Sequence, residues 1–164
     1  FLSELDREAE RCKRALQNVP SGKSDWKPHE KSMLFGYLAS LVAMMPGWIA
    51  MAIVQDELDL NPPGGRPPAP KAETSADLVE LLDKSVTDAR KALESGRATD
   101  EFLLTPWRLL VGGNVVMETP RHIMMRDTMN HLAHHRGQLT VYLRLLGAPV
   151  PALYGPSADD RRFA

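Results

Sequence analysis

Residues 61–70 constrain the fold more than any other segment of this sequence. Five of these ten residues are proline and two are glycine. Proline donates no backbone hydrogen bond and has a fixed φ, so the segment can be neither a helix nor a central strand. Its composition is typical of an extended surface connection of the polyproline kind. We therefore expect a long crossover between two helical halves of the chain.

Apolar residues recur at helical spacing before this crossover. The pattern predicts a first helix over residues 2–17, followed by a turn-rich link. A second helix is predicted from about residue 30 to residue 58. Pro46 and Gly47 lie inside it, and we expect a kink or a short break there.

Two further helices are predicted after the crossover. Thr74 or Ser75 can cap a third helix that continues to about Glu94. Thr119 precedes a proline, which is a favourable first helical residue, so a last helix is predicted over residues 120–146. Gly147 is a suitable C-cap for it.

The stretch 97–118 is less regular, and it could hold a short helix followed by a loop. Every long periodic segment of the chain follows a 3.6-residue repeat. The sequence therefore predicts an all-α fold, a four-helix bundle with a long crossover between the second and third helices. Residues 1–164 are long enough for one domain with its own core, and no second domain is needed.

Charge and hydropathy disfavour several classes of function. Lys and Arg total 20 against 21 Asp and Glu, so the net charge of −1 favours neither nucleic acid nor an anionic membrane as a partner. The apolar runs are shorter than the roughly 20 residues of a membrane span. With one cysteine and no visible leader, a cytoplasmic protein is expected, although the start at Phe1 instead of Met keeps an upstream signal open.

The last predicted helix carries three histidines that are not equivalent. At about 100° per residue, His131 and His135 lie beside the core stripe in a polar column with Gln138 and Tyr142, whereas His134 points away. Two imidazoles four residues apart can bind one Zn²⁺ or a similar ion. Such a pair more often consists of rim histidines that hydrogen-bond to neighbouring groups, and this alternative stays open.

Two other side chains are expected to be structural. Arg136 falls in the apolar stripe of the last helix, where a guanidinium needs a buried carboxylate partner. An ion pair that fixes helix packing is favoured over substrate binding. Cys12, in the first helix, is expected to be a core or semi-exposed thiol and not a nucleophile.

Residues 131–139 read His-Leu-Ala-His-His-Arg-Gly-Gln-Leu, and this string resembles the last helix of the DinB-like, damage-inducible family. Further matches lie at residues 25–33, 46–48, 142–147 and 154–159, so the resemblance covers nearly the whole chain. It implies a four-helix bundle with a crossover, which is usually a homodimer. It also implies a divalent metal, zinc or nickel, that is often held by three histidines.

By this resemblance His131 and His135 are two of the three metal ligands, and Leu41 occupies the position of the third. The family string Leu-Ala-Ser-His-Val-Ala here reads Leu-Ala-Ser-Leu-Val-Ala. Leucine cannot coordinate a metal, so the site is incomplete, and only weak binding of zinc or nickel is expected. Asp127 and His29 are poorly placed to replace the missing ligand.

The resemblance leaves two functions open. Family members with an intact site include metal-dependent thiol transferases, so this chain could be such a transferase or a hydrolase that acts on a small molecule, with a low-molecular-weight thiol as partner. The alternative is a non-enzymatic small-molecule-binding or interaction bundle that has lost the metal chemistry. In both cases the predicted pocket residues are Leu41, Met45, Trp48, Gln138 and Tyr142.

A homodimer is implied by the resemblance alone. Weak support comes from apolar residues that we expect on the surface near Trp107, Leu109 and Leu110.

Overall fold

A computed structural model of the protein describes residues 1–65 and 72–163. These residues form helices and three short strands. In chain order the elements are α1 (Leu2–Leu16), α2 (Phe35–Met44), α3 (Gly47–Val54), β1 (Glu57–Asp59), α4 (Ser75–Glu94), α5 (Asp100–Leu103), β2 (Pro106–Val111), β3 (Asn114–Pro120) and α6 (Arg121–Leu145).

The long helices pack around a shared apolar core. Both α4 and α6 contact α1, α2 and α3. Buried apolar residues form two clusters, one centred on α2 and the other on α3. The packing is that of a helical bundle in which the second member is broken.

The break in that second member lies where the sequence predicts it. Helix α2 ends at Met44 and α3 begins at Gly47, with an angle of 51° between them. Pro46 has no N–H for the helical ladder, which explains why the helix does not continue straight. The break directs α2 and α3 toward different ends of α6, since the α2 cluster includes Leu139 and the α3 cluster includes Met125.

The boundaries of the other predicted helices agree closely with the structure. Thr74 caps α4 through a capping box with Asp77, in which each side chain accepts a hydrogen bond from the other residue's N–H. Gly147 follows α6 with a positive φ of 71°, as expected of a C-cap glycine. The predicted cap by Thr119 is wrong: Thr119 pairs with Trp107 in the sheet, and α6 has no side-chain cap.

The all-α prediction is wrong in one respect, because the described residues include a three-stranded mixed sheet in the order β1-β2-β3. Strand β1 is parallel to β2, and β2 is antiparallel to β3. The short helix expected within residues 97–118 is present as α5, but a hairpin follows it instead of a loop. Its turn is Gly112-Gly113, and both residues have positive φ, as a two-residue hairpin turn requires.

The long connection runs from α3 to α4. The second predicted helix ends at Val54, four residues before the predicted end at Leu58, because the chain enters β1 at Glu57. Residues 61–65 are neither helix nor strand, as predicted. The rest of the predicted polyproline crossover, residues 66–70, lies outside the described residues.

Among the helices of the described residues, none is by itself both long and apolar enough to cross a membrane. Helices α2 and α3 reach that length and composition only together, across their 51° bend.

Candidate functional site

A pocket of about 540 Å³ lies between α6, the broken helix and the sheet. Its size is in the range of small-molecule sites. The lining residues from α6 are Met124, Asp127, Thr128, His131 and His135. Those from α2 and α3 are Tyr37, Leu41, Trp48 and Met51, and Met33 lies at one side. The remaining wall consists of Leu58, Leu60, Trp107, Leu109 and Met117.

That remaining wall is formed by the sheet, which the helical periodicity of the sequence does not predict. Leu58, Leu109 and Met117 are register partners across the three strands, so they form one row of apolar side chains. The Gly-Gly pair between two β-branched and apolar runs is a hairpin signal that could have revealed β2 and β3. Strand β1 is only three residues long and pairs with a strand about 50 residues away, so no local pattern marks it.

The two predicted metal-binding histidines do meet in this pocket. Their Nε2 atoms are 2.8 Å apart, and their ring centroids are 4.5 Å apart. Gln138 Oε1 lies 2.8 Å from Nδ1 of His135. Since an amide oxygen only accepts, His135 carries its proton on Nδ1 and offers Nε2 as an acceptor. His131 Nε2–H therefore donates to His135, and the pair is a hydrogen-bonded unit.

The charge of the pocket is negative or neutral. The pKa of His131 is lowered by burial and then by the neighbouring His135 and His134, so its neutral form is favoured. None of the described lining residues is Lys or Arg, and Asp127 contributes a carboxylate. The pocket therefore offers anionic ligands no attractive charge.

Two of the five predicted pocket residues line the pocket, and three do not. Leu41 and Trp48 line the pocket, and the Trp48 and His131 rings lie 5.8 Å apart. Gln138 lies behind the lining and orients His135. Met45 does not line the pocket: it is completely buried in the α2 cluster.

Tyr142 does not line the pocket either. It packs in an aromatic group with Trp26 and Phe35, at centroid distances of 5.5 and 6.3 Å. Its position in the polar column of the helical wheel is correct, but the chain before α2 covers that end of the column.

The histidine pair does not fit a three-histidine metal centre. Leu41, at the position where the family places its third ligand, shares the pocket with His131 and His135. Among the described residues, no group of three or more His, Cys, Asp or Glu side chains could hold a metal ion. The 2.8 Å between the two Nε2 atoms is a hydrogen-bond length, whereas two nitrogens bound tetrahedrally to zinc are about 3.3 Å apart.

The two side chains expected to be structural are buried together. Arg136 is 1% exposed and donates to Glu8 Oε2 at 2.5 Å, to the Glu8 carbonyl and to Cys12 Sγ. The carboxylate partner predicted for Arg136 is therefore Glu8. Burial raises the pKa of the Cys12 thiol to about 11, so this thiol stays protonated and is a weak nucleophile.

The surface argument for a homodimer is not supported. Trp107 is completely buried, Leu110 is 8% exposed, and Leu109 faces the pocket. The β2 residues near which we expected an exposed apolar surface instead pack within the chain or against the pocket.

Comparison with known proteins agrees with this architecture. A crystal structure of a DinB-like protein from Bacillus cereus superposes with a TM-score of 0.70 at 23% identity, over 94% of this chain and 95% of the other. A DinB-like protein of Bacillus subtilis, YjoA, gives a TM-score of 0.68 at 19% identity, over 98% of both chains. Both likenesses show a shared fold.

The sequence comparisons point the same way. The uncharacterized protein YrdA of Bacillus subtilis is 37% identical over 43 residues, a segment that spans 26% of this chain and 26% of that protein. The family model of the DinB family matches residues 1–162. This chain therefore belongs to the DinB family.

Proposed function

We propose that this protein binds a small, mainly apolar molecule in the pocket between α6, the broken helix and the sheet, and that it does so without a three-histidine metal centre. The observation that carries the proposal is Leu41, which lines the pocket together with His131 and His135. An isobutyl group at this position gives the pocket apolar surface in place of a metal ligand.

The other walls support binding of an apolar ligand. Most of the lining side chains are aliphatic, aromatic or methionine. Methionine is unbranched and polarisable, so it adapts to ligands of irregular shape. The four that line the pocket are Met33, Met51, Met117 and Met124. The hydrogen-bonded histidine pair then forms the polar part of the site.

A second candidate is a metal-dependent thiol transferase or hydrolase. The observation that favours it is the orientation of His135 by Gln138, because metal-binding histidines commonly donate their other N–H to such a partner. The absence of a third ligand among the described residues weighs against it. Binding without metal is therefore the preferred function.

Binding can be tested with the neutral fluorophore N-phenylnaphthylamine, whose emission rises in apolar surroundings. We expect saturable binding by the wild type and at least a tenfold weaker affinity for Met117→Arg, since about 1.4 kcal/mol of lost binding energy corresponds to tenfold. Val141→Arg is the matched control, because Val141 is 57% exposed on α6 and does not line the pocket. Equal binding by both variants would place the ligand elsewhere.

Metal content separates the two candidate functions. We expect protein purified without an affinity tag or chelator to contain far less than one zinc or nickel ion per chain by elemental analysis. One tightly bound ion per chain would contradict the preferred function and favour the metal-dependent candidate.

A further inference from the structure

Trp107 carries an unused hydrogen-bond donor. Its side chain is completely buried, and Nε1 is the buried side-chain polar atom in the described part of the chain that has no hydrogen-bond partner. A buried indole N–H without an acceptor is costly, and buried Trp side chains usually find one. The missing acceptor therefore calls for an explanation.

The protein atoms near Trp107 do not supply that acceptor. The residue belongs to the apolar α3 cluster, with neighbours such as Ile49 and Met125. Thr128 lines the same pocket, and its hydroxyl donates to the Met124 carbonyl at 3.0 Å, but neither this hydroxyl nor any other acceptor of the described residues forms a hydrogen bond with Trp107 Nε1. Because Trp107 also lines the pocket, a molecule bound there can supply the acceptor.

The charges of the pocket restrict the kind of acceptor. The described lining residues include one carboxylate, Asp127, and no Lys or Arg. A carboxylate or phosphate ligand would have to leave water without gaining an opposite charge, which is unfavourable. An uncharged carbonyl oxygen avoids this cost and accepts a hydrogen bond well.

We propose that the ligand is an uncharged, mainly apolar molecule with a carbonyl oxygen that accepts a hydrogen bond from Trp107 Nε1. This inference rests on the proposed function, namely that the pocket binds an apolar small molecule. It adds a specificity determinant: the apolar walls hold the body of the ligand, and the buried indole selects ligands that carry the oxygen.

The test compares two probes of nearly the same shape, methyl naphthyl ketone and isopropenylnaphthalene, in which a methylene group replaces the carbonyl oxygen. We expect the wild type to bind the ketone about tenfold more tightly, because one buried N–H is satisfied only by the oxygen. In Trp107→Phe the two affinities should become equal. Trp48→Phe is the matched control, since Trp48 lines the same pocket, and it should keep the preference for the ketone.

A second measurement does not depend on the folding of any variant. In ¹⁵N-labelled wild type, the indole N–H resonance of Trp107 is assigned by its absence from Trp107→Phe or by selective labelling. This resonance should shift downfield when the ketone is added and should not shift when the alkene is added. Trp26 lies outside the pocket in an aromatic group, so its resonance serves as the internal reference.

The outcomes separate this inference from the proposed function. If both probes bind equally and neither shifts the Trp107 resonance, the pocket binds apolar molecules but the carbonyl inference is wrong, and a buried water is the acceptor. If neither probe binds and N-phenylnaphthylamine also fails to bind, the proposed function itself is wrong. If the negatively charged naphthoate binds more tightly than the ketone, the argument from charge is overturned.

Discussion

Arg136 shows how one charged residue is held inside the core. Its guanidinium reaches the Glu8 carboxylate, and the hydroxyl of Tyr154 contacts both groups. Arg11 pairs with the second carboxylate oxygen and lies 4.1 Å from the centroid of the Tyr154 ring. Helix α1, helix α6 and the C-terminal segment are therefore joined by one polar network, of which Glu8 and Arg136 are the buried part.

We expect Glu8→Gln to destabilise the protein by about 3 kcal/mol at neutral pH, because it leaves the buried guanidinium without its counterion. Urea unfolding followed by circular dichroism measures the loss. Glu10→Gln is the matched control: Glu10 is exposed on the same helix and pairs with Arg14 at the surface, so a change within about 0.5 kcal/mol is expected. Similar effects of both variants would contradict the assigned role of Glu8.

The same pair predicts how stability depends on pH. Burial by itself would raise the pKa of Glu8, but hydrogen bonds from Arg136, Arg11 and Tyr154 and the charge of Arg136 outweigh it, so the pKa lies below its ordinary value of 4.5. A carboxylate whose pKa is lowered in the folded protein stabilises the folded state. This stabilisation is complete at pH values above the ordinary pKa, and it is lost as the pH falls through the lowered pKa. In urea unfolding at a series of pH values, the free energy of unfolding of Glu8→Gln should therefore fall less steeply below pH 4.5 than that of the wild type.

Leu41 is the residue at which metal affinity can be tested. We expect Leu41→His to raise zinc affinity markedly, since a third imidazole would enter the pocket that His131 and His135 line. Wild type and variant are dialysed against equal Zn²⁺, and bound metal per chain is measured. Adding His131→Ala to the variant should abolish the gain, whereas adding His134→Ala should not. No gain in the single variant would show that position 41 does not face the histidine pair.

At the scale of elements, helical periodicity predicts the bundle because each helix carries its own pattern. The extents of α1, α4 and α6 follow from apolar spacing that repeats within a few turns of chain, and Thr74 and Gly147 mark the start of α4 and the end of α6. The strands depend on partners far along the sequence, and β3 is largely exposed, so it lacks the apolar alternation that marks a strand. The second helix was predicted too long for the same reason, since no local pattern marks the change from helix to strand between Val54 and Glu57.

Asp59 holds β1 to the tip of the hairpin. Its carboxylate accepts hydrogen bonds from the N–H groups of Asn61, Gly112 and Gly113, at 2.8, 2.9 and 2.7 Å. These bonds fix the sheet that forms one wall of the pocket.

We expect Asp59→Ala to lower the free energy of unfolding by about 1–2 kcal/mol, because three N–H groups lose a charged acceptor. It should also weaken binding of N-phenylnaphthylamine, since the Leu58 and Leu60 side chains lose their support. Hydrogen exchange should quicken at the Leu60 amide, which bonds to the Leu110 carbonyl. Asp25→Ala, in the exposed loop before α2, is the control; equal exchange in both variants would mean that Asp59 does not secure β1.

At the scale of the whole molecule, the site was only half predictable. The helical wheel brings His131 and His135 together because both lie on one rigid element, and family resemblance places Leu41 near them. The sequence does not assign Trp107, Leu109 and Met117 to the pocket, because their approach to α6 depends on a sheet in which β1 and β2 are paired over a long sequence distance. A helical wheel describes a single helix, so it also cannot show that residues preceding α2 cover Tyr142.

We expect the protein to be a homodimer, as the resemblance to its family implies. Strand β3 is at the edge of the sheet, and its Val115 and Val116 side chains are 51% and 58% exposed, so it offers an apolar contact surface. Light scattering coupled to size exclusion should give about twice the chain mass of 18.2 kDa. Val116→Arg should yield monomers if β3 forms the interface. A wild type that stays monomeric at high concentration contradicts the expectation.

The polar network around Arg136 also bears on how the protein is made. Glu8 leaves the ribosome early, but Arg136 is synthesised 128 residues later and Tyr154 later still. Until then Glu8 lacks its counterion and α1 lacks one of the two long helices that pack against it, and such long-range contacts form late. A nascent chain that stalls before α6 therefore leaves the side of α1 that packs against α6 uncovered, and it should be a substrate for chaperones and proteases until its last third is complete.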